Sequence, residues 1–241
     1  MTLHHGLRYA LFLFMVALAA EAHADWLDDV ARALGISKTP SAMKGATDGI
    51  LTGEIYIVSL NGHNPLRVTR DGGYRSPVFD TGDKALLALR GNDLVRVAFD
   101  GSSVVKRQTL AGAVKLLGVD RSDSDRLLLL VDTATGGSEL AAVSLKTGRL
   151  TRLPHAHDAK DQRRLLNHLR GEDRNYGDLS LYLKTESRRE LAATLEWSDV
   201  FLERKGAAAV NISHCDGHRC GQPALSQDHA RVVFIRATQR P

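Results

Sequence analysis

The chain has 241 residues, of which 43% are hydrophobic and 25% charged, with a formal net charge of +4. This balance excludes a disordered, collagen-like or multiply membrane-spanning chain and fits a globular body. Aromatic residues make up only 5%, and basic and acidic residues alternate instead of clustering, so no nucleic-acid partner is expected.

The first residues read MTLHHGLRYALFLFMVALAAEAHADW. Arg8 precedes an apolar run too short to span a bilayer comfortably, and Ala22-His23-Ala24 offers the small-x-small pattern of a cleavage site. Residues 1–24 are therefore expected to be a secretory signal peptide, and the rest a periplasmic or secreted protein with no transmembrane segment. Residues 25–49 read as a short helix and linker. Acidic Asp25, Asp28 and Asp29 lie in the first helical turns, Gly35 follows the end, and Trp26, Leu27, Val30, Ala31 and Leu34 share a face. That face is expected to pack on the body or to dock in a partner groove, with Trp26 as the anchor.

Beyond residue 50 the pattern is short apolar runs separated by Gly, Asp, Asn and Ser. GEIYIVSL, PLRVTR, SPVF and KALLALRG supply four strands, with Asn61-Gly62 and residues 80–83 as turns. LVRVAFDGSSVVKRQTL, VKLLGVD and RLLLLVDT supply four more. ELAAVSLKTGRLTRLP opens a longer third unit, completed by RRLLNHLR and DLSLYLKTE with GEDRNYG as their separator. DVFLERKGAAAVNIS, GQPALSQDHA and RVVFIRA form a fourth. The closing strands begin near Ala85, Leu127, Leu179 and Val232, about 42, 52 and 53 residues apart, inside or just above the length of a propeller blade. One hairpin pair cannot bury its apolar faces alone, whereas stacked quartets share a core. The expected fold is all-β, a β-propeller of four to five blades over residues 50–241. A β-sandwich is the alternative. A fifth blade would draw on GATDGILTG and ELAATLEW.

The segments RVT, then PVFDTGDK, then an apolar strand resemble the repeat of TolB-type propellers, and PALSQDHAR resembles it more closely. His229 stands where that repeat usually has Gly. The resemblance covers roughly residues 50 to 238 and implies a fold. It also implies that an N-terminal strand closes the ring. Such propellers host both binding proteins and accessory domains of peptidases.

The only two cysteines, Cys215 and Cys220, sit in HCDGHRC. In an oxidising compartment they are expected to form a disulfide that staples a short loop. With His214 and His218 they also offer thiolate and imidazole ligands for zinc or copper, at a spacing unusual for zinc. A redox pair would more often be C-x-x-C at a helix start. His155 and His157, in HAHD, are further candidate metal ligands, with Asp158 or His168 to complete a set. Residues 120–125, DRSDSD, offer oxygens for calcium or are turn formers. Arg163, Arg164, Arg170 and Arg174 fall in a charge-dense segment suited to an acidic ligand, and Trp197 is a candidate aromatic anchor.

No nucleophile elbow, phosphate-binding loop, H-E-x-x-H helix or dinucleotide fingerprint occurs. No catalytic residues and no cofactor are assigned. The expected function is a non-enzymatic envelope protein that binds a protein partner. The alternatives are a metal-dependent hydrolase or lactonase with Glu54, Asp93, Glu139 and Asp199 at strand starts lining the channel, and the propeller accessory domain of a peptidase.

Overall fold

The computed structural model describes residues 51–60, 64–153, 174–190 and 193–238. The expected leader, helix and linker, with Trp26, lie outside these residues. So do Asn61-Gly62, His155, His157, Arg163, Arg164, His168 and Arg170.

Sixteen strands are present among the described residues, in four sheets of four. Sheet I contains β3 (Tyr74–Phe79), β4 (Leu86–Arg90), β5 (Asp93–Val97) and β6 (Val104–Thr109), in that order. Sheet II runs through β7 (Ala113–Val119), β8 (Arg126–Asp132), β9 (Ser138–Ser144) and β10 (Leu150–Arg152). Sheet III runs through β11 (Arg174–Tyr176), β12 (Leu179–Glu190), β13 (Ala193–Arg204) and β14 (Val210–Asn211). Sheet IV joins both ends of the described chain. Its order is β15 (Cys220–Leu225), β16 (Arg231–Arg236), β1 (Glu54–Ser59), β2 (Leu66–Arg67). Every strand pairing within these sheets is antiparallel. Four meandering four-stranded blades closed by the first strands form a propeller, not a sandwich.

This closure corrects the phase of the sequence reading. The second strand of each blade, β4, β8, β12 and β16, begins within a residue of the expected starts at 85, 127, 179 and 232. The quartets, however, are offset by two strands. β1 and β2 complete the last blade, and the first blade starts only at Tyr74. No fifth sheet occurs among the described residues. The LEW of ELAATLEW continues without a break into DVFL as β13. GEDRNYG, expected to be a separator, holds the inner strand β11. Three residues with little apolar content carry no strand signal of their own.

The second strands show why a blade stack forms. LLALR, LLLLV and RVVFIR are buried along nearly their whole length. A strand buried on both faces reads as a continuous apolar run. Successive side chains point to opposite faces, so one strand feeds two cores. Leu87 and Leu89 join Leu127, Leu129 and Val143 between sheets I and II. Leu86 and Ala88 join Ile55, Tyr74, Val233 and Ile235 between sheets I and IV. Val232 and Phe234 join Leu181, Val200 and Leu202 between sheets IV and III. Each fully buried Leu or Phe contributes about 1.5–3 kcal/mol by leaving water.

The inner strands are irregular in a repeated way. β3 and β15 each carry a bulge, between Arg75 and Val78 and between Gly221 and Ala224. Ser76 and Gln222 hold positive φ there, 49° and 55°, each immediately before a proline. The Ser76 N–H donates to Gln222 Oε1 at 2.5 Å, and Gln222 Nε2 donates to the Leu51 carbonyl at 2.9 Å. One bulge thus satisfies the other across the junction. On the opposite side of β3, buried Arg75 donates to the carbonyls of Ala113, Val114 and Gly91 at 2.7–2.9 Å. Inner strands cannot pair with one another, and these side chains satisfy backbone groups at the axis.

Candidate functional site: the rim of inner turns

The turns joining first to second strands all lie at the same end of the sheets: residues 80–85, 120–125, 177–178 and 226–230. Their chemistry is mostly turn closure. The Asp80 carboxylate accepts from Thr81 N–H at 2.8 Å. Asp120 Oδ1 accepts from Ser122 N–H and Oγ–H at 2.9 and 2.7 Å, and Asp123 Oδ1 from Asp125 N–H at 3.0 Å. Asp125 accepts from Ser144 Oγ–H and from Lys146 N–H, each at 2.7 Å. The acidic run 120–125 is thereby engaged with hydroxyls and backbone amides, which is the turn-former reading.

Three sheets meet at one residue of this rim. His229, exposed and at φ 55°, follows Asp228 in the turn after β15. Arg121 of sheet II approaches its Nε2 at 3.4 Å. A guanidinium can only donate, so Nε2 is the acceptor in this contact. Tyr176 of sheet III lies edge-on to the imidazole, with ring centroids 6.4 Å apart, and its hydroxyl accepts from Leu225 N–H at 3.5 Å. Burial pushes the Tyr176 phenol above its ordinary pKa, while Arg174 and the Leu225 N–H oppose that shift. The Gly position of the TolB-type turn is occupied by residues at positive φ both here and in sheet I, where Asp83 has φ 53°. The sequence reading noted the substitution at His229 and missed the one at Asp83.

Asp83 ties sheet I to sheet IV. Its Oδ2 accepts from Asp228 N–H at 3.1 Å and its carbonyl accepts from Arg231 Nη2 at 3.1 Å. Asp83 is only 8% exposed. The Arg231 guanidinium also lies 5.6 Å from the Phe79 ring centroid and 4.8 Å from that of Phe99. Ser226 and Asp228 hold each other at 2.5 Å, and the Asp228 carboxyl sits below the usual carboxylate range because Ser226 and the Ala230 N–H donate to it. Thr81 Oγ–H reaches the Ser124 carbonyl at 2.9 Å, linking sheet I to sheet II. The result is a rigid rim with exposed Arg121, His229 and Asp228 on top.

The four acids expected to line the channel do something else. Glu54, Asp93, Glu139 and Asp199 all fall on the third strand of their sheets, because of the two-strand offset. Each is clasped by the fourth strand or the residues just after it. Glu54 pairs with Arg67, Asp93 with Lys106 at 2.9 Å, and Glu139 with Arg152 at 2.7 Å. Asp199 Oδ1 accepts from Ser213 Oγ–H at 2.9 Å and Cys215 N–H at 2.7 Å. The periodic acid noticed in the sequence is real, but it holds the outer edge of each blade.

Cys215 and Cys220 are joined in a disulfide and are fully buried in the core between sheets IV and III. Joined in this way, neither sulfur is a thiolate ligand. His214 is exposed at φ 46°, and the His218 carbonyl accepts from Ser198 N–H at 3.3 Å. Among the described residues no three His, Cys, Asp or Glu side chains are grouped as metal ligands. Trp197 is half-buried on β13, opposite Glu186 on β12. Those two strands have 12 residues each, against five to seven for the first three strands of sheets I and II.

No protein-family model and no curated protein matches this sequence. Solved structures similar to it include that of a putative TolB from Agrobacterium tumefaciens, 13% identical over 78% of this chain and 79% of that one, with a TM-score of 0.34. TolB from Acinetobacter baumannii is 13% identical over 78% of this chain and 49% of its own, with a TM-score of 0.35. An oligogalacturonate lyase in complex with manganese is 18% identical over 75% and 52%, with a TM-score of 0.34. The chain spans about half the length of these last two. By its sheet order and its closure, the chain folds, among the described residues, as a β-propeller of four blades.

Proposed function

We propose that this chain is an exported, non-enzymatic envelope protein that binds another protein on the turn-lined rim of its propeller. The observation that carries this reading is the placement of charge. The four periodic acids that a channel active site would need are held by their own outer strands, whereas Arg121, Asp228 and His229, from two sheets, stand exposed together on the rim. Exposed, rigidly backed polar residues beside aromatic ones suit recognition of a protein surface. The reading of residues 1–24 as a leader supports export. The long β12–β13 hairpin with Trp197 offers a second contact to the same partner.

A photo-reactive residue at position 121 and another at position 105, on the outer strand of sheet I, test the proposal in envelope extract. A discrete cross-linked species from position 121 and none from position 105 is expected. Equal labelling from both positions, or stoichiometric metal in the purified protein together with hydrolytic turnover, would overturn it.

A further inference from the structure

A cavity of about 400 Å³ opens between the outer strands of sheets I and II. One wall is Lys106, Arg107 and Gln108, three consecutive residues of β6. In a regular strand the middle of three would point to the opposite face. Here the pairing of β5 with β6 slips between Leu94 and Val95, which face Gln108 and Lys106, so Arg107 is the extra residue of a bulge. Bulges re-aim side chains in this way. The opposite wall is the β9–β10 turn with Leu145, Lys146 and Gly148.

The polar groups of the cleft are mostly donors. Arg107 Nη2 is spent on the Leu145 carbonyl at 3.1 Å, which fixes the guanidinium and leaves its other N–H groups. Gln108 Nε2 is buried with no hydrogen-bond partner. Gly148 has φ 72°, and a Cβ there would overlap Gln108 Oε1, so glycine is what lets the turn close over this amide. Two carboxylates are bonded to the lining: Asp93 to Lys106, and Asp125 to the backbone N–H of Lys146. The three cations outnumber them. An orphaned buried donor beside surplus cations calls for an acceptor-only ligand. Separate donors on two facing walls, one of them a fixed guanidinium, match the several oxygens of a tetrahedral dianion better than a flat carboxylate.

We propose that this cleft binds the phosphoryl group of a small phosphate ester of sugar-phosphate size, a volume within the range of ligand sites. The ester could be free or form the headgroup of a lipid. Calorimetric titration of the whole purified chain with glucose 6-phosphate, and flotation with phosphatidylglycerol vesicles, separate these sources. Glucose 6-phosphate is expected to bind with a Kd below about 1 mM, and Lys146→Ala and Gln108→Leu each to weaken it about tenfold. Lys205→Ala, on the β13–β14 turn, is expected to leave binding unchanged, and all variants should melt with the wild type. Vesicle binding that Lys146→Ala also abolishes, together with ester binding, assigns the headgroup. Absence of ester binding at 20-fold above that Kd, or binding that folded Lys146→Ala retains in full, would overturn the proposal.

Discussion

Opening the Cys215–Cys220 bond is the sharpest test of how the junction between sheets III and IV is held. The bond closes a loop with a sequence separation of 5. A loop that short loses little entropy on cross-linking, and the chain-entropy relation gives about 2 kcal/mol. The loop has other fastenings that survive reduction. Asp199 accepts from the Cys215 N–H and from Ser213, and Ser198 Oγ–H donates to the Cys220 carbonyl at 2.6 Å. The sulfurs themselves remain in an apolar cluster with Leu181 and Phe234. Reduction of the wild type by dithiothreitol is therefore expected to cost about 2 kcal/mol, a fall in Tm of about 4–8 °C for a chain of this size. Cys215→Ala with Cys220→Ala should cost about 1–2 kcal/mol more, because buried sulfur volume is also lost. Urea melts followed by circular dichroism measure both. An unchanged midpoint on reduction would refute the staple, and a loss above about 5 kcal/mol would show that the bond sustains far more than one short loop.

Gly101 and Gly206 both have positive φ, 69° and 81°, but only at Gly101 would a Cβ overlap another backbone atom, the Val68 carbonyl oxygen. Gly206→Ala should cost about 1 kcal/mol from conformation alone, and Gly101→Ala about 3 kcal/mol, measured by urea melts. Among the third-strand clasps, Glu139→Ala should lower stability by about 1 kcal/mol because the carboxylate is buried, while Asp93→Ala, at an exposed pair, should leave the melting midpoint unchanged. Burial raises the phenols of Tyr74 and Tyr176. The folded state then keeps those protons longer, so their stabilisation is whole below the ordinary tyrosine pKa near 10 and is lost as pH rises through the folded values. Ultraviolet titration should show a late-ionising fraction that Tyr74→Phe with Tyr176→Phe removes.

The second strands were legible because burial on two faces writes itself as unbroken Leu and Val, which turn residues then bracket. The turns were legible for the same local reason: Asp, Ser and Gly close them through their own side chains or φ. The phase of the quartets was not legible. Whether β1 belongs with β3 or with β16 depends on a pairing between Glu54 and Arg236 that no local pattern encodes. The misplaced channel acids follow from that one ambiguity, since the start of a blade defines which strand is innermost. β11 escaped notice because three residues pinned by neighbours need no propensity of their own. The rim around His229 escaped notice because Arg121, Tyr176 and His229 come from three blades.

The closure also decides how the molecule fails. Sheet IV holds β1 against β16 through six residue pairs, from Glu54↔Arg236 to Ser59↔Arg231. Its two faces feed different cores: Ile55, Ile57, Val233 and Ile235 point toward sheet I, and Val58, Val232 and Phe234 toward sheet III. Parting β1 from β16 therefore opens both cores at once and, among the described residues, leaves the cluster between sheets I and II intact. A stack of blades joined only to neighbours in sequence would come apart one junction at a time. Pairing the first strands with the last makes opening at that seam nearly as costly as losing the fold, so the exposed charges of the rim are held on a cooperative frame and not on a string of separable hairpins.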